Sequence, residues 1–162
     1  NMKLASGAAP VPAYLRADVA IGLGTDGAAS NNDLDMFEAM RVAALLHKHQ
    51  TIDPRALSAK SALEMATIRG ARALGMERII GSLEPRKRAD LITVSMMGAR
   101  QTPMYDPLSH LVYVSRGDDV QNTIVNGRVL MRARKLQTID EMAVIADARA
   151  WVDKVRAAVK MP

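Results

Sequence analysis

An α/β fold is the class this sequence predicts, on three observations. Asp18 to Leu23 (DVAIGL) is an apolar, β-prone run that leads into a glycine-rich loop. Residues 34 to 75 then carry helical spacing almost throughout. After Gly81 the pattern changes to short β-prone runs around Asn126-Gly127, followed by one more helical stretch.

Taken in order, Asn1 to Ala17 begins irregularly, with Pro10 and Pro12. Asp18 to Leu23 has the length of a buried strand. A helix is expected from about Leu34 to His49, with Leu34, Phe37, Met40 and Ala44 as its apolar stripe. Asp53-Pro54 reads as an N-cap and first-turn proline opening a short helix. Ser61 and Glu64 read as a capping box for the next one, which should end near Gly75. Asp90 to Val94 is a short strand, and Asp106-Pro107 opens a helical turn. Val120 to Val125 and Arg128 to Met131 flank Asn126-Gly127, a strong short-range hairpin signal. Asp140 to Lys160 is helical, with Met142, Ile145, Ala148, Val152 and Val155 on one face and Trp151 expected to be buried. A lone buried strand followed by helices leaves backbone groups unpaired, so a missing neighbour is expected.

Composition narrows the function. Of 162 residues, 49% are apolar and 24% charged, which fits a globular chain with a sizeable core. Aromatics are only 3%, which argues against base stacking on nucleic acid. The net charge of +5 comes from dispersed Lys and Arg and reads as solvated surface, so no nucleic-acid partner is expected. No apolar run approaches the length of a membrane span, and no signal peptide is visible, so no membrane partner is expected. With no cysteine, disulfides and thiolate zinc sites are excluded, and a cytoplasmic location fits. The chain starts at Asn1 in mid-pattern, so a processed or truncated polypeptide is expected.

Gly22-Leu-Gly24-Thr-Asp-Gly27 matches G-x-G-x-x-G after a strand, as a dinucleotide-binding loop would. Asp26 would repel a pyrophosphate there, the helix does not open at Gly27, and no second parallel strand follows. An alternative places Asp26 at the C-terminal end of a buried strand, where (β/α)8 barrels carry their catalytic groups. There it could bind a divalent metal or accept a proton, with Gly24 and Gly27 letting the backbone turn around it. The plainer reading is that Asp26 caps a turn.

The segment Gly22 to Arg41, GLGTDGAASNNDLDMFEAMR, resembles the last-barrel-strand segment of the amidohydrolase superfamily. The nearest branch looks like the methylthioadenosine/S-adenosylhomocysteine deaminases and their chlorohydrolase (triazine hydrolase) relatives. Asn1 to Gly7, Ala62 to Gly75, Gly81 to Val94, Asp106 to Val114 and Val120 to Leu130 resemble further parts of the same proteins. Arg86 departs from the pattern, which usually has glycine at that turn.

The resemblance implies the C-terminal portion of a (β/α)8 TIM-like metal-dependent hydrolase barrel plus part of a small β-sandwich subdomain. Residues 1–80 would hold the last strand or strands and helices of the barrel, 81–137 part of the composite sandwich, and 138–162 a C-terminal helix. It implies one divalent metal, zinc with iron as the alternative, held by several histidines and by the aspartate matching Asp26. It also implies hydrolytic attack on a purine-like or triazine-like ring carbon. Of that site only Asp26 is present, as catalytic and metal-binding residue. No His-x-His motif serves it: His47 and His49 lie two apart on a helix and diverge, with surface or helix-end positions expected. His110 is expected to make a structural hydrogen bond. Ser30 and Asn31 either reach the substrate or cap the helix beginning near Leu34, and capping is the favoured reading. Lys3 and Ser6 carry the same ambiguity. The expected partners are the missing N-terminal part of the same protein and a small heterocyclic substrate, and a homo-oligomer is compatible. Alone, the 162 residues are expected to be inactive and unstable. The rival readings are a nucleotide-binding module at Gly22 to Gly27 and a catalytically dead scaffold.

Overall fold

The computed structural model describes residues 2–159; Asn1 and Lys160, at the ends of two expected segments, lie outside them. The elements run α1 (Val11–Arg16), α2 (Ala28–Asn31), α3 (Met36–Thr51), α4 (Ala59–Met65), α5 (Ile68–Ala73), β1 (Leu91–Val94), α6 (Pro107–Tyr113), β2 (Val120–Val125), β3 (Arg128–Arg132), β4 (Lys135–Leu136) and α7 (Glu141–Val159). Helices α3, α4 and α6 pack together, and the strands form one antiparallel sheet in the order β1-β2-β3-β4.

The core lies where this helical layer meets the sheet. Phe37, Met40 and Ala44 of α3 meet Ala62 of α4, Val112 of α6 and Val120 of β2. The stripe on α3 extends one step further than the apolar residues alone suggest. His47 follows at the same helical spacing and is 4% exposed, which corrects the expected surface position. Burial pushes its pKa down, because charging the ring there would cost solvation. His49, two residues on, is exposed. Leu34 precedes the helix and is exposed, so it is not part of the stripe.

Two straps tie α3 to the turn that feeds β2. The cap of α3 is Asp35, whose Oδ1 accepts from the Phe37 N–H at 2.8 Å. Its Oδ2 accepts from the Gly117 N–H, also at 2.8 Å. One turn along, the Arg41 guanidinium donates to the Ser115 carbonyl at 2.6 Å. Asp106 caps α6 through Leu108 N–H as expected, and His110 Nδ1 lies 3.2 Å from the Asp106 carbonyl. The Asn126-Gly127 hairpin forms between β2 and β3 with φ of 49° and 76°, the left-handed pair that a two-residue turn of this kind needs. Asp90 Oδ1 accepts from the Asn126 N–H at 2.6 Å and pins that turn to the start of β1.

Several expectations are corrected. Residues 18 to 23 form no strand: Asp18 sits in a turn at φ 52°, Val19 is 44% exposed, and the Leu23 N–H pairs with the Met65 carbonyl at 3.0 Å rather than with a strand. An apolar run becomes a strand only where another strand pairs with it, and none adjoins it among the described residues. Asp53-Pro54 makes a turn, not a helix, with Asp53 Oδ1 accepting from the Arg55 N–H. Ser58, not Ser61, caps α4; Glu64 lies inside the helix and pairs with Arg69 at 3.1 Å. Helix α7 forms, but it buries no residue, and Trp151 is 59% exposed. The single helix expected to end near Gly75 is broken at Ala66–Thr67 into α4 and α5, and Gly75 follows the end of α5 with φ 68°.

The segment from residues 18 to 23 is held by a glycine contact. A Cβ on Gly22 would sit 2.7 Å from the Gly70 Cα and 3.3 Å from the Met65 carbonyl oxygen, both backbone atoms with little freedom to yield. A Cβ on Gly27 would meet nothing within 4 Å. Gly22→Ala should therefore destabilise the protein by roughly 1–3 kcal/mol, while Gly27→Ala should cost clearly less. Thermal melting of the two variants checks this, and equal losses would contradict it. Arg86, at the turn where the resemblance leads one to expect glycine, has φ 76°. A left-handed residue with a side chain is strained by about 1–2 kcal/mol. Arg86→Gly should recover about 1 kcal/mol of this and raise the melting temperature by a few degrees; a lower melting temperature would contradict the reading.

Candidate functional site

The backbone from Val19 to Thr25 lies against the break between α4 and α5, with alternating exposure from Ile21 to Asp26. Ile21, Leu23 and Thr25 are half-buried and Gly24 and Asp26 are exposed, while the Cβ side of Gly22 is closed against Gly70. The segment brings Asp26 to an exposed loop beside an apolar groove of about 840 Å³. Its lining includes Gly22, Leu23, Gly24, Gly70, Leu91 and Ile124. Asp26 is not among its lining residues, and its side chain is exposed.

The loop turns at Asp26 itself, whose φ is 61°. Gly24 and Gly27, expected to supply that freedom, do not: neither has positive φ. Aspartate and asparagine tolerate this conformation better than most side chains because they bond locally to the backbone. Here Asp26 Oδ1 accepts from the Gly27 N–H at 2.7 Å. The neighbouring Ser30 hydroxyl first, and that N–H second, hold the carboxyl below the usual carboxylate range. The group is therefore anionic at neutral pH.

Ser30 and Asn31 lie in α2 and do not cap α3, which is capped by Asp35. Ser30 Oγ lies 3.0 Å from the Gly27 carbonyl oxygen, with its one hydrogen shared between that oxygen and the Asp26 carboxylate, and Asn31 Nδ2 donates to the Thr25 carbonyl at 2.8 Å. Lys3 reaches the same loop from the N-terminal segment: its Nζ donates to the Ala29 carbonyl at 3.2 Å and to Asn32 Oδ1. The sequence marked each of these residues, but their joint attachment to one loop depends on the fold.

As a metal ligand Asp26 is suitable in charge and access, but one carboxylate is one ligand of about four. Among the described residues no group of three or more His, Cys, Asp or Glu could hold an ion. None of the three histidines completes the site: His47 is buried in the core, His49 is two residues on, and His110 bonds within α6. The geometry also argues against a dinucleotide loop. Gly22 is closed against Gly70, where no phosphate could approach, and the sheet is antiparallel.

Comparisons with known proteins agree with this geometry. The amidohydrolase family matches residues 1–130. A 5-methylthioadenosine/S-adenosylhomocysteine deaminase of Syntrophomonas wolfei is 49% identical over 155 residues, covering 96% of this chain and 36% of the relative. An adenosine deaminase from Xanthomonas campestris with bound zinc superimposes with a TM-score of 0.94 at 43% identity, covering 97% of this chain and 36% of that one. An atrazine chlorohydrolase from Arthrobacter aurescens complexed with zinc gives a TM-score of 0.82 at 32% identity, covering 89% and 32%. The chain thus spans about a third of the length of the proteins it matches. Among the described residues no helix is long and apolar enough to cross a membrane. With the family match running over most of its length, the chain belongs to the amidohydrolase family.

Proposed function

We propose that these residues serve a metal-dependent deaminase of adenosine-type nucleosides, as the C-terminal part that contributes its metal-binding aspartate. The observation that carries this reading is the Asp26 loop: an ionised, accessible carboxylate in a left-handed turn, at the end of the segment from Val19 to Thr25. In the proposed assembly, residues 1–80 complete a (β/α)8 barrel, 81–137 complete a β-sandwich, and 138–162 form a returning helix. A preceding part of the same polypeptide supplies the remaining barrel strands and the histidine ligands. The span of about a third of the relatives' length supports this, as does a sheet whose first strand, β1, pairs on one side only among the described residues.

Zinc is the favoured ion, because the adenosine deaminase and chlorohydrolase structures both hold it. The chemistry such an ion supplies when bound is a nucleophilic water at neutral pH. Asp26 would give it one anionic oxygen and stand ready to accept a proton. An adenine ring is favoured over a triazine because the adenosine deaminase is the nearer neighbour in both identity and fold: 43% and 0.94, against 32% and 0.82. The product would be the ring carbonyl and ammonia.

The experiment uses the longer polypeptide that carries this sequence. Asp26→Asn preserves size but removes the anionic ligand and proton acceptor. Ammonia release from methylthioadenosine should fall at least about 100-fold, with little change in melting temperature. Near-normal turnover would return Asp26 to the turn-capping reading, and release of chloride from a chlorotriazine without deamination would move the substrate class to triazines.

A further inference from the structure

Helix α2 has only four residues and no side-chain cap at its start, so it cannot hold a loop in shape by itself. Yet two nearby residues, neither of them glycine, have positive φ: Asp26, just before the Gly27 cap, at φ 61° and Asn32, just after the helix, at φ 66°. Strained positions of this kind persist only where the surroundings enforce them. The bond that spans Asp26 is that from Asn31 Nδ2 to the Thr25 carbonyl, at 2.8 Å. It joins the end of α2 to the residue immediately before Asp26 and closes a loop of chain that contains Asp26. From outside, Lys3 fixes the same helix through the Ala29 carbonyl and Asn32 Oδ1.

We infer that Asn31 is a positioning residue: it holds the Thr25–Asp26 backbone in the turn that aims the Asp26 carboxylate, and it does not contact the substrate. One of its two amide N–H groups is committed to Thr25, which ties the side chain to the loop backbone. Lys3 works in the same direction by anchoring α2 to the N-terminal segment. The inference rests on the reading of Asp26 as the metal-binding aspartate.

The test measures three quantities on Asn31→Ala in the longer polypeptide loaded with zinc: zinc affinity by competition with a chelator, kcat and KM for methylthioadenosine, and melting temperature. Residues that orient a metal ligand typically contribute about 10–100-fold to metal affinity or activity. Zinc affinity and kcat should both fall within that range while KM stays unchanged. A raised KM with zinc affinity and kcat intact would overturn the inference and make Asn31 a substrate contact; unchanged values throughout would overturn it as well. If the alanine variant melts early, Asn31→Ser is read by the same assays, since its shorter side chain keeps a polar group but cannot span to Thr25. Asp26→Asn is measured alongside. If it keeps zinc and turnover, the reading of Asp26 fails and the inference with it. If it loses both while Asn31→Ala does not, only the inference fails.

Discussion

The position of the Asp26 loop depends on one backbone contact. Gly22 lies so near Gly70 that a methyl group between them would overlap the Gly70 Cα. That approach seats the segment in the break between α4 and α5, and the bond from Leu23 N–H to the Met65 carbonyl fixes its register. Asp26 follows four residues later, in a left-handed turn that leaves it exposed. The glycine that looked like part of a phosphate loop is therefore a packing glycine.

A second constraint is the imbalance of apolar surface. Large apolar side chains such as Leu74, Leu83, Met97, Trp151 and Val155 are exposed, while the buried apolar set centres on α3, α4 and α6. Exposed apolar area of this extent usually marks a surface that something else covers. The groove between Gly70 and the sheet, the open edge of β1 and the bare faces of α7 fit the proposal that a preceding part of the same polypeptide packs on these residues. They also explain why an apolar run such as residues 18 to 23 forms no strand.

Much of the fold was legible because its signals are local. Asn126-Gly127 accepts a left-handed pair of residues that few dipeptides tolerate, so the hairpin could be read directly. Asp106-Pro107 and Gly75 marked a helix start and a helix end for similar reasons. Less local features were misread. Ser58 and Ser61 are both plausible caps, and only the onset of α4 decides between them. His47 continues the stripe of Phe37, Met40 and Ala44 at helical spacing, but an imidazole suits a surface as well as a core, so its burial is set by the packing around it. In the candidate site, the family and Asp26 were visible in one motif. The roles of Lys3, Ser30 and Asn31 were not, because each acts through a backbone carbonyl whose position the fold sets.

The central claim is that Asp26 is a ligand in a metal site completed by residues outside this chain. A crystal structure of the longer polypeptide with zinc tests it most directly. The account predicts an Asp26 carboxylate oxygen at about 2.0–2.2 Å from the ion, with the remaining ligands drawn from preceding residues. Zinc bound elsewhere, with Asp26 still bonded only to its own Gly27 turn, would contradict it.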